Sequence, residues 1–415
     1  MMTRSRGEQP RGDRIPAVPS QSTTRTRTLT PRAVDFPSPA YVIDLSIVRR
    51  NCEILGRIKS ESGCRIVHAL KAFALPQAFP ILRQYLDGCC ASGLWEAQLA
   101  HQLFGPTILT CGPAYRDTDQ DLFELSSHLD FNSLNHWRHW RDYALAHPRY
   151  LSGALRFGLR INPQCSTGAT RLYDPCSSVS RLGVPPGHLP QSDLTGVSGF
   201  HFHTLCEQGS DALAVTLEAV DRHFGSLLRS EQFRWLNLGG GHWITNENYD
   251  RDLLVRLIEQ CRKRYQLDEI WLEPGEAAVF QAGALHARVL DLFRNGDTHV
   301  AILDVSATAH MPDVLEMPYR PKVTLDRQTA GKEGPHRYRL GGITCLAGDV
   351  IGDYAFDRPL AIGDELVFHD MAHYTMVKTT CFNGVQHPAI VLRDESGGCS
   401  IVREFDYQDF ISRLT

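Results

Sequence analysis

Between residues 65 and 273 the chain alternates short apolar runs with longer amphipathic stretches. The runs fall at 65–70 (RIVHAL), 88–92 (GCCAS), 108–112 (ILTCG) and 128–132 (HLDFN), then at 156–162 (RFGLRIN), 197–203 (VSGFHFH), 233–238 (FRWLNL) and 269–273 (EIWLE). Each has the length and apolar or β-branched character of a strand, and intervals such as 76–87, 209–230 and 250–265 are long enough for helices. Strands alternating with helices predict parallel βαβ units. Eight such units fit a (β/α)8 TIM-like barrel over residues 45–280. A doubly wound open sheet shows the same alternation, and the strand count alone does not exclude it.

The pattern changes at both ends of this region. Upstream, PAYVIDL reads as a strand over 37–44, after which Asp44 is placed to cap a helix with Leu45, Val48, Cys52 and Leu55 on its apolar side. Beyond about residue 280, ALHARVLDLF, THVAILDVSA, HRYRLGG and DELVFHDM read as strands with little helix between them. The expected organisation is therefore α/β plus β: a barrel, then a C-terminal mostly-β domain over 281–415 joined by the strand at 37–44. Residues 1–35 are rich in Arg, Thr, Ser and Pro with few large apolar side chains. They read as a disordered tail, because so little apolar surface cannot offset the entropy of ordering.

Composition narrows the class. With 42% hydrophobic and 22% charged residues the chain is a globular protein. A net charge of -4 creates no field that invites nucleic acid, and no apolar run approaches bilayer length, so neither nucleic acid nor membrane is expected as a partner. The 12 cysteines form no secretory framework or CxxC ladder, and read as reduced, buried thiols of a cytoplasmic protein.

Four signals share one barrel face. Lys71 follows the first strand, where barrel active sites are built. It is either a surface residue opening a helix or a partly desolvated amine able to form a Schiff base. NLGGGH at 237–242 follows the seventh strand, and its glycines let backbone N–H groups approach a phosphate. Glu273 ends the eighth strand in EPGEA, where a carboxylate suits a pyridinium N–H or caps the next turn. His201 and His203 end the sixth strand in FHFH. Metal ligation by the pair is open, but no Cys or carboxylate pattern in the sequence completes a site, and no metal is expected. In the second domain GITCLAGD carries Cys345, either one more buried thiol or a proton donor.

From about Pro37 to Val391 the chain resembles the alanine-racemase-like (fold type III) decarboxylases that use pyridoxal 5'-phosphate, and within them the carboxynorspermidine/carboxyspermidine decarboxylases. The stretches that carry the resemblance are HALKAF, NLGGGHWIT, EPGEA, DVSATAHMPDVLEMPYRP, TCLAGDVIGDY and HYTMVKTTCFNG. It implies that Lys71 is the Schiff-base lysine, that His203 stacks on the cofactor ring and that Gly240 and Gly241 belong to the phosphate loop. It implies further that Glu273 meets the pyridine nitrogen and that Tyr374 lies near the phosphate. Cys345 would be a catalytic thiol given across a homodimer interface, with Glu276 and Asp313 as substrate-binding carboxylates. The implied product is norspermidine or spermidine.

Two departures shape that expectation. Ornithine- and diaminopimelate-type relatives carry EPGR where this chain has EPGE, and an acidic residue after the cysteine where this chain has Leu346. Both favour a long cationic substrate over a small diamino acid. After His203 the chain reads TLCEQ instead of the relatives' His-x-Gly-Ser, so their phosphate contacts do not transfer.

Overall fold

The computed structural model describes residues 36–168, 174–177, 179–187, 189–190 and 193–415. The tail expected over 1–35 lies outside the described residues. Strand β1 spans Ala40–Asp44. Strands β2 (Arg65–Ala69), β3 (Gly88–Ala91), β4 (Ile108–Cys111), β5 (His128–Phe131), β6 (Arg156–Arg160), β7 (Val197–His201), β8 (Trp235–Asn237) and β9 (Glu269–Leu272) form a closed barrel. All neighbours in it are parallel, and β9 returns to β2 with Arg65 opposite Trp271 and Ile66 opposite Leu272. Closure excludes the open sheet.

The barrel closes because its interior can be filled. Val67, Ala69, Cys90, Leu109, Trp235 and Trp271 pack there as one cluster. Trp235 needs the room that Gly199 leaves: a Cβ on that residue would lie 2.0 Å from the indole Cδ2. Outside the barrel, Asp44 caps the helix Leu45–Ser62 by accepting from the backbone N–H of Ser46 and Ile47 at 3.0 and 3.3 Å. That helix buries Val48, Cys52 and Leu55 against the barrel wall, and the two aliphatic side chains, Val48 and Leu55, contribute roughly 1.5–3 kcal/mol each. It ends at Gly63 in a left-handed conformation (φ 67°).

The second unit is a ten-stranded sheet. Its strands are β1, β10 (Gly283–Asn295), β11 (Thr298–Leu303), β12 (Val323–Leu325), β13 (Gln328–Thr329), β14 (His336–Gly341), β15 (Val350–Phe356), β16 (Glu365–His369), β17 (Ala389–Arg393) and β18 (Cys399–Arg403). The main path runs β13-β12-β16-β10-β1-β17-β18, with β11, β14 and β15 paired on from β10. β1 pairs antiparallel with β10 and parallel with β17. Leu285, Leu303, Leu340, Leu366 and Phe368 form this unit's own core. The two units meet at the site: the Tyr374 N–H donates to the Ala72 carbonyl at 2.9 Å, beside Lys71. Among the described residues no helix is long and apolar enough to cross a membrane.

Candidate active site

Lys71 sits in the turn that follows β2. The Ala72 N–H closes on the Ala69 carbonyl at 3.1 Å. His68 Nε2 lies 2.6 Å from the Phe73 carbonyl. Burial pushes the His68 imidazole down to about 4, so it is neutral and donates that N–H. Leu70, Ala72 and Phe73 are buried while Lys71 is exposed. The expected partial desolvation of Lys71 is not seen: its apolar neighbours anchor the turn in the core, and the long side chain projects over the open mouth.

The glycine loop is folded by close approach. Gly239 and Gly241 adopt φ of 71° and 79°, a left-handed region that disfavours side chains. A Cβ on Gly240 would lie 2.4 Å from the Glu273 carbonyl, and one on Gly241 1.9 Å from the Leu205 carbonyl. The Gly240 N–H donates to His203 Nδ1 at 3.0 Å, which fixes the tautomer. Burial, then Lys71, drives the His203 imidazole well below its ordinary range. Glu273 is buried, and its Oε1 accepts from Asn237 Nδ2 at 2.6 Å. Its N–H donates to the Gly239 carbonyl at 2.8 Å, so loop and carboxylate move as one unit.

A second group of residues is acidic. Glu276 opens the short helix Glu276–Val279. Burial, with Glu207 and Asp370 adding to it and His373 opposing, pushes its carboxyl up to about 7. Glu207 is raised too, by burial first and then by Asp370 and Asp313 against His373. His373 lies 3.4 Å from Asp370. Burial alone would lower it, but Asp370, Glu276 and Glu207 together hold it up to about 9. Asp313 is not a free carboxylate: Lys378 contacts it and also Glu316, the latter at 2.7 Å. Tyr374 is raised by burial and then by Glu276. Glu207, Asp370 and Tyr374 all hold left-handed φ (51°, 60° and 51°). Each costs on the order of 1 kcal/mol, and such strain concentrates at working sites.

Cys345 is exposed, which removes the buried-thiol reading for this one residue. All twelve cysteines are free, and eight are buried. The Cys345 N–H donates to Asn383 Oδ1 at 2.8 Å. The buried Asp349 gathers its loop by accepting from the N–H groups of Ala307 at 2.7 Å and Thr344 at 3.2 Å, and from the Thr344 hydroxyl at 2.6 Å.

Several chemically active residues escaped the sequence reading. Glu207 joins Glu276 from the loop after β7, and Asp370 and His373 join it from the loop after β16. Cys111 on β4 and Asp130 on β5 meet His201 on β7, with one donor atom from each within 4.8 Å of the others. The completing Cys and carboxylate that the sequence did not reveal thus come from other strands, and they reach His201 without His203. Arg160 ends β6 and acts electrostatically on Asp130, His201 and His203. Only inward alternation on neighbouring strands could have signalled these residues.

With this geometry in place, known proteins give the relationship. Residues 40–372 match the family described as pyridoxal-dependent decarboxylase, C-terminal sheet domain. The chain is also 45% identical to the carboxyaminopropylagmatine decarboxylase of Synechocystis sp., over 92% of this chain and 97% of that protein. The chain belongs to the pyridoxal-dependent decarboxylases. This decarboxylase is 39% identical to the carboxynorspermidine/carboxyspermidine decarboxylase of Campylobacter jejuni, across 91% of the chain and 98% of the relative. The crystal structure of the Campylobacter jejuni carboxynorspermidine decarboxylase complexed with norspermidine superposes with a TM-score of 0.80 at 38% identity, covering 91% of this chain and 100% of that one. The decarboxylase's residues fit the family's cofactor. Pyridoxal phosphate needs an amine, a backbone loop for its phosphate and an acceptor for its ring nitrogen. Lys71, the side-chain-free loop 239–241 and buried Glu273 offer those chemistries on one barrel face.

Proposed function

We propose that this decarboxylase removes CO2 from carboxynorspermidine or carboxyspermidine, giving norspermidine or spermidine, with pyridoxal 5'-phosphate held at Lys71. The observation that carries the reading is the acidic group around Glu276. On top of burial, Glu207 and Asp370 raise the Glu276 carboxyl, and Asp370 and Asp313 raise that of Glu207. A polycation relieves that mutual repulsion, whereas a small diamino acid brings a second carboxylate or a single distal amine to it.

In this reading Lys71 would hold the cofactor through its amine, and the loop that carries Gly240 and Gly241 would cradle its phosphate, with Tyr374 nearby. His203, its orientation fixed by the Gly240 N–H, would pack on the cofactor ring. Glu273, oriented by Asn237, accepts from the ring nitrogen. When bound, the cofactor supplies an electron sink for the pair released as the bond to the carboxylate breaks. Glu276 and the Asp313–Lys378 pair receive the substrate's amines. Cys345 of the partner subunit returns a proton to the carbon that lost CO2. That role requires a homodimer. The exposed Ile343, Leu346 and Phe382 beside Cys345 support one, because an interface would bury them.

The 45% relative favours a second reading, in which the substrate is carboxyaminopropylagmatine and the distal group is a guanidinium. Both substrates present the same carboxylated aminopropyl end and differ in the tail that meets the acidic group. A panel of carboxynorspermidine, carboxyspermidine, carboxyaminopropylagmatine, ornithine and diaminopimelate, read by CO2 release, tests both. The first two should turn over with the highest kcat/KM. A preference for the agmatine derivative selects the second reading, and a preference for ornithine or diaminopimelate overturns both.

A further inference from the structure

The trio of Cys111, Asp130 and His201 has no part in the chemistry described so far. His201 stands between two carboxylates: Nδ1 lies 3.1 Å from Asp130 Oδ2, and Nε2 lies 3.5 Å from Glu273 Oε2. The His201, Asp130 and Glu273 side chains are at least nine-tenths buried, at 3%, 2% and 8% exposure. Room has been made for them: a Cβ on Gly158 would lie 2.2 Å from Asp130 Oδ1. Both His201 nitrogens and Asp130 Oδ1 lack a well-aligned hydrogen-bond partner. Polar groups in an otherwise apolar interior cost stability unless they are used. The contact that these make is with Glu273.

We propose that Asp130 and His201 form a proton-sharing pair that positions Glu273 and, through it, governs the ring nitrogen of the cofactor. This rests on the reading that Glu273 meets that nitrogen. Burial pushes His201 down to about 4 and Asp130 up to about 7, each toward its neutral form. Below about pH 7 the pair therefore carries no net charge, with the Asp130 proton held toward Nδ1 and Nε2–H facing Glu273. The groups that face the pair are His128 on β5, Cys111 on β4, Tyr115 after β4, Arg160 on β6, His203 after β7, Glu273 after β9 and Lys71 after β2. The cations Arg160 and Lys71 further disfavour a charged His201. An imidazolium here would compete with the ring N–H for Glu273. A neutral imidazole anchors one carboxylate oxygen and leaves acceptor capacity free. The same trio is a donor set for a soft divalent metal, but a protonated Asp130 and an Nε2 turned toward Glu273 are poor ligands.

The test uses the holoenzyme and reads the bound cofactor's absorbance between about pH 5 and 9 together with its dissociation constant. Asp130→Asn keeps a donor toward Nδ1 but cannot titrate, so it should retain the neutral-pH spectrum and lose the spectral change near neutrality. His201→Leu should weaken cofactor binding about tenfold, the scale of a hydrogen bond to a charged group, and shift the spectrum. His201→Gln, which keeps an amide near the Nε2 position, should recover most of both. A His201→Leu protein with wild-type spectrum, pH dependence and cofactor affinity overturns the proposal. So does stoichiometric zinc in the wild type that His201→Gln lacks. Glu273→Gln separates the layers: if it leaves the spectrum unchanged, the Glu273 reading fails, whereas a change there with none in His201→Leu sinks only the pair.

Discussion

Replacing Glu276 by Gln removes one charge and keeps the volume, and the structure predicts opposite effects on binding and on stability. A carboxylate about 4 Å from a substrate ammonium gains about 4 kcal/mol at the effective dielectric of a protein surface. After both groups lose water, a charge-assisted hydrogen bond leaves about 1.5–3 kcal/mol. The expected loss in kcat/KM for a carboxylated triamine is therefore about 10- to 150-fold. Stability should move the other way. The Glu276 carboxyl is raised from its ordinary 4.5 to about 7 by burial and by its acidic neighbours. A folded-state value above the unfolded one means that ionisation penalises folding. The penalty is complete above the folded value, shrinks as pH falls and is gone below the unfolded value. At about pH 8 it amounts to at most about 3 kcal/mol.

Glu276→Gln should therefore raise the thermal midpoint at about pH 8 by a few degrees and lose that gain by about pH 4. The pH profile sharpens the test. In the wild type only the ionised form attracts a cation, so kcat/KM should rise as pH passes about 7, and the glutamine variant should lack that rise. The assay is initial CO2 release across pH alongside thermal melts of the same preparations. If stability and kcat/KM fall together at every pH, the residue is structural. If kcat/KM for the triamine is unchanged, Glu276 does not meet the substrate.

Two further outcomes follow from geometry. Gly199→Ala would set a methyl 2.0 Å from the Trp235 ring. Overpacking of this kind costs about 1–3 kcal/mol or more, so a thermal midpoint equal to the wild type would refute the interior packing described above. Lys71→Ala should lose both cofactor absorbance and CO2 release, whereas Cys345→Ala should keep the absorbance and lose sustained polyamine formation, because the carbon that lost CO2 is no longer protonated. If sites are shared across a two-fold dimer, mixing the two inactive proteins should restore about a quarter of wild-type activity, since half the dimers are mixed and each has one intact site. No recovery after verified subunit exchange would mean that each chain completes its own site.

Legibility in the sequence followed the range of the interactions. The eight barrel strands were readable because each is a local apolar run, and the Asp44 cap because its partners lie two and three residues away. The common placement of Lys71, Glu273 and the glycines was readable because barrel topology sends every strand's carboxyl end to one face. Asp130 and Cys111 were not. Each is one inward position on a short strand, and nothing near them in sequence points to His201, 71 and 90 residues away. The Asp313–Lys378 contact, spanning 65 positions, was hidden for the same reason. Lys71 shows the converse limit. Its apolar flanks suggested a desolvated amine, yet those flanks serve the core beneath it, and local composition does not say which way a side chain leaves a turn.

The two groups of carboxylates at this barrel mouth face different demands, and their surroundings differ accordingly. Glu273 accepts from the neutral Asn237 amide, and the neutral His201 imidazole lies 3.5 Å from its other oxygen, so neither neighbour neutralises it. The Glu276 group is crowded with like charge, and what cations it has are its own: His373 beside Asp370, and Lys378 on Asp313 and Glu316. Those internal cations matter for selection. A monoamine entering this region gains little, because His373 and Lys378 already satisfy part of the acidic charge. A longer polycation spans several carboxylates at once and can displace Lys378, whose side chain is only partly buried. Discrimination then grows with the number and spacing of the substrate's positive groups, so lengthening the tail should change kcat/KM more than adding one more amine to a short one.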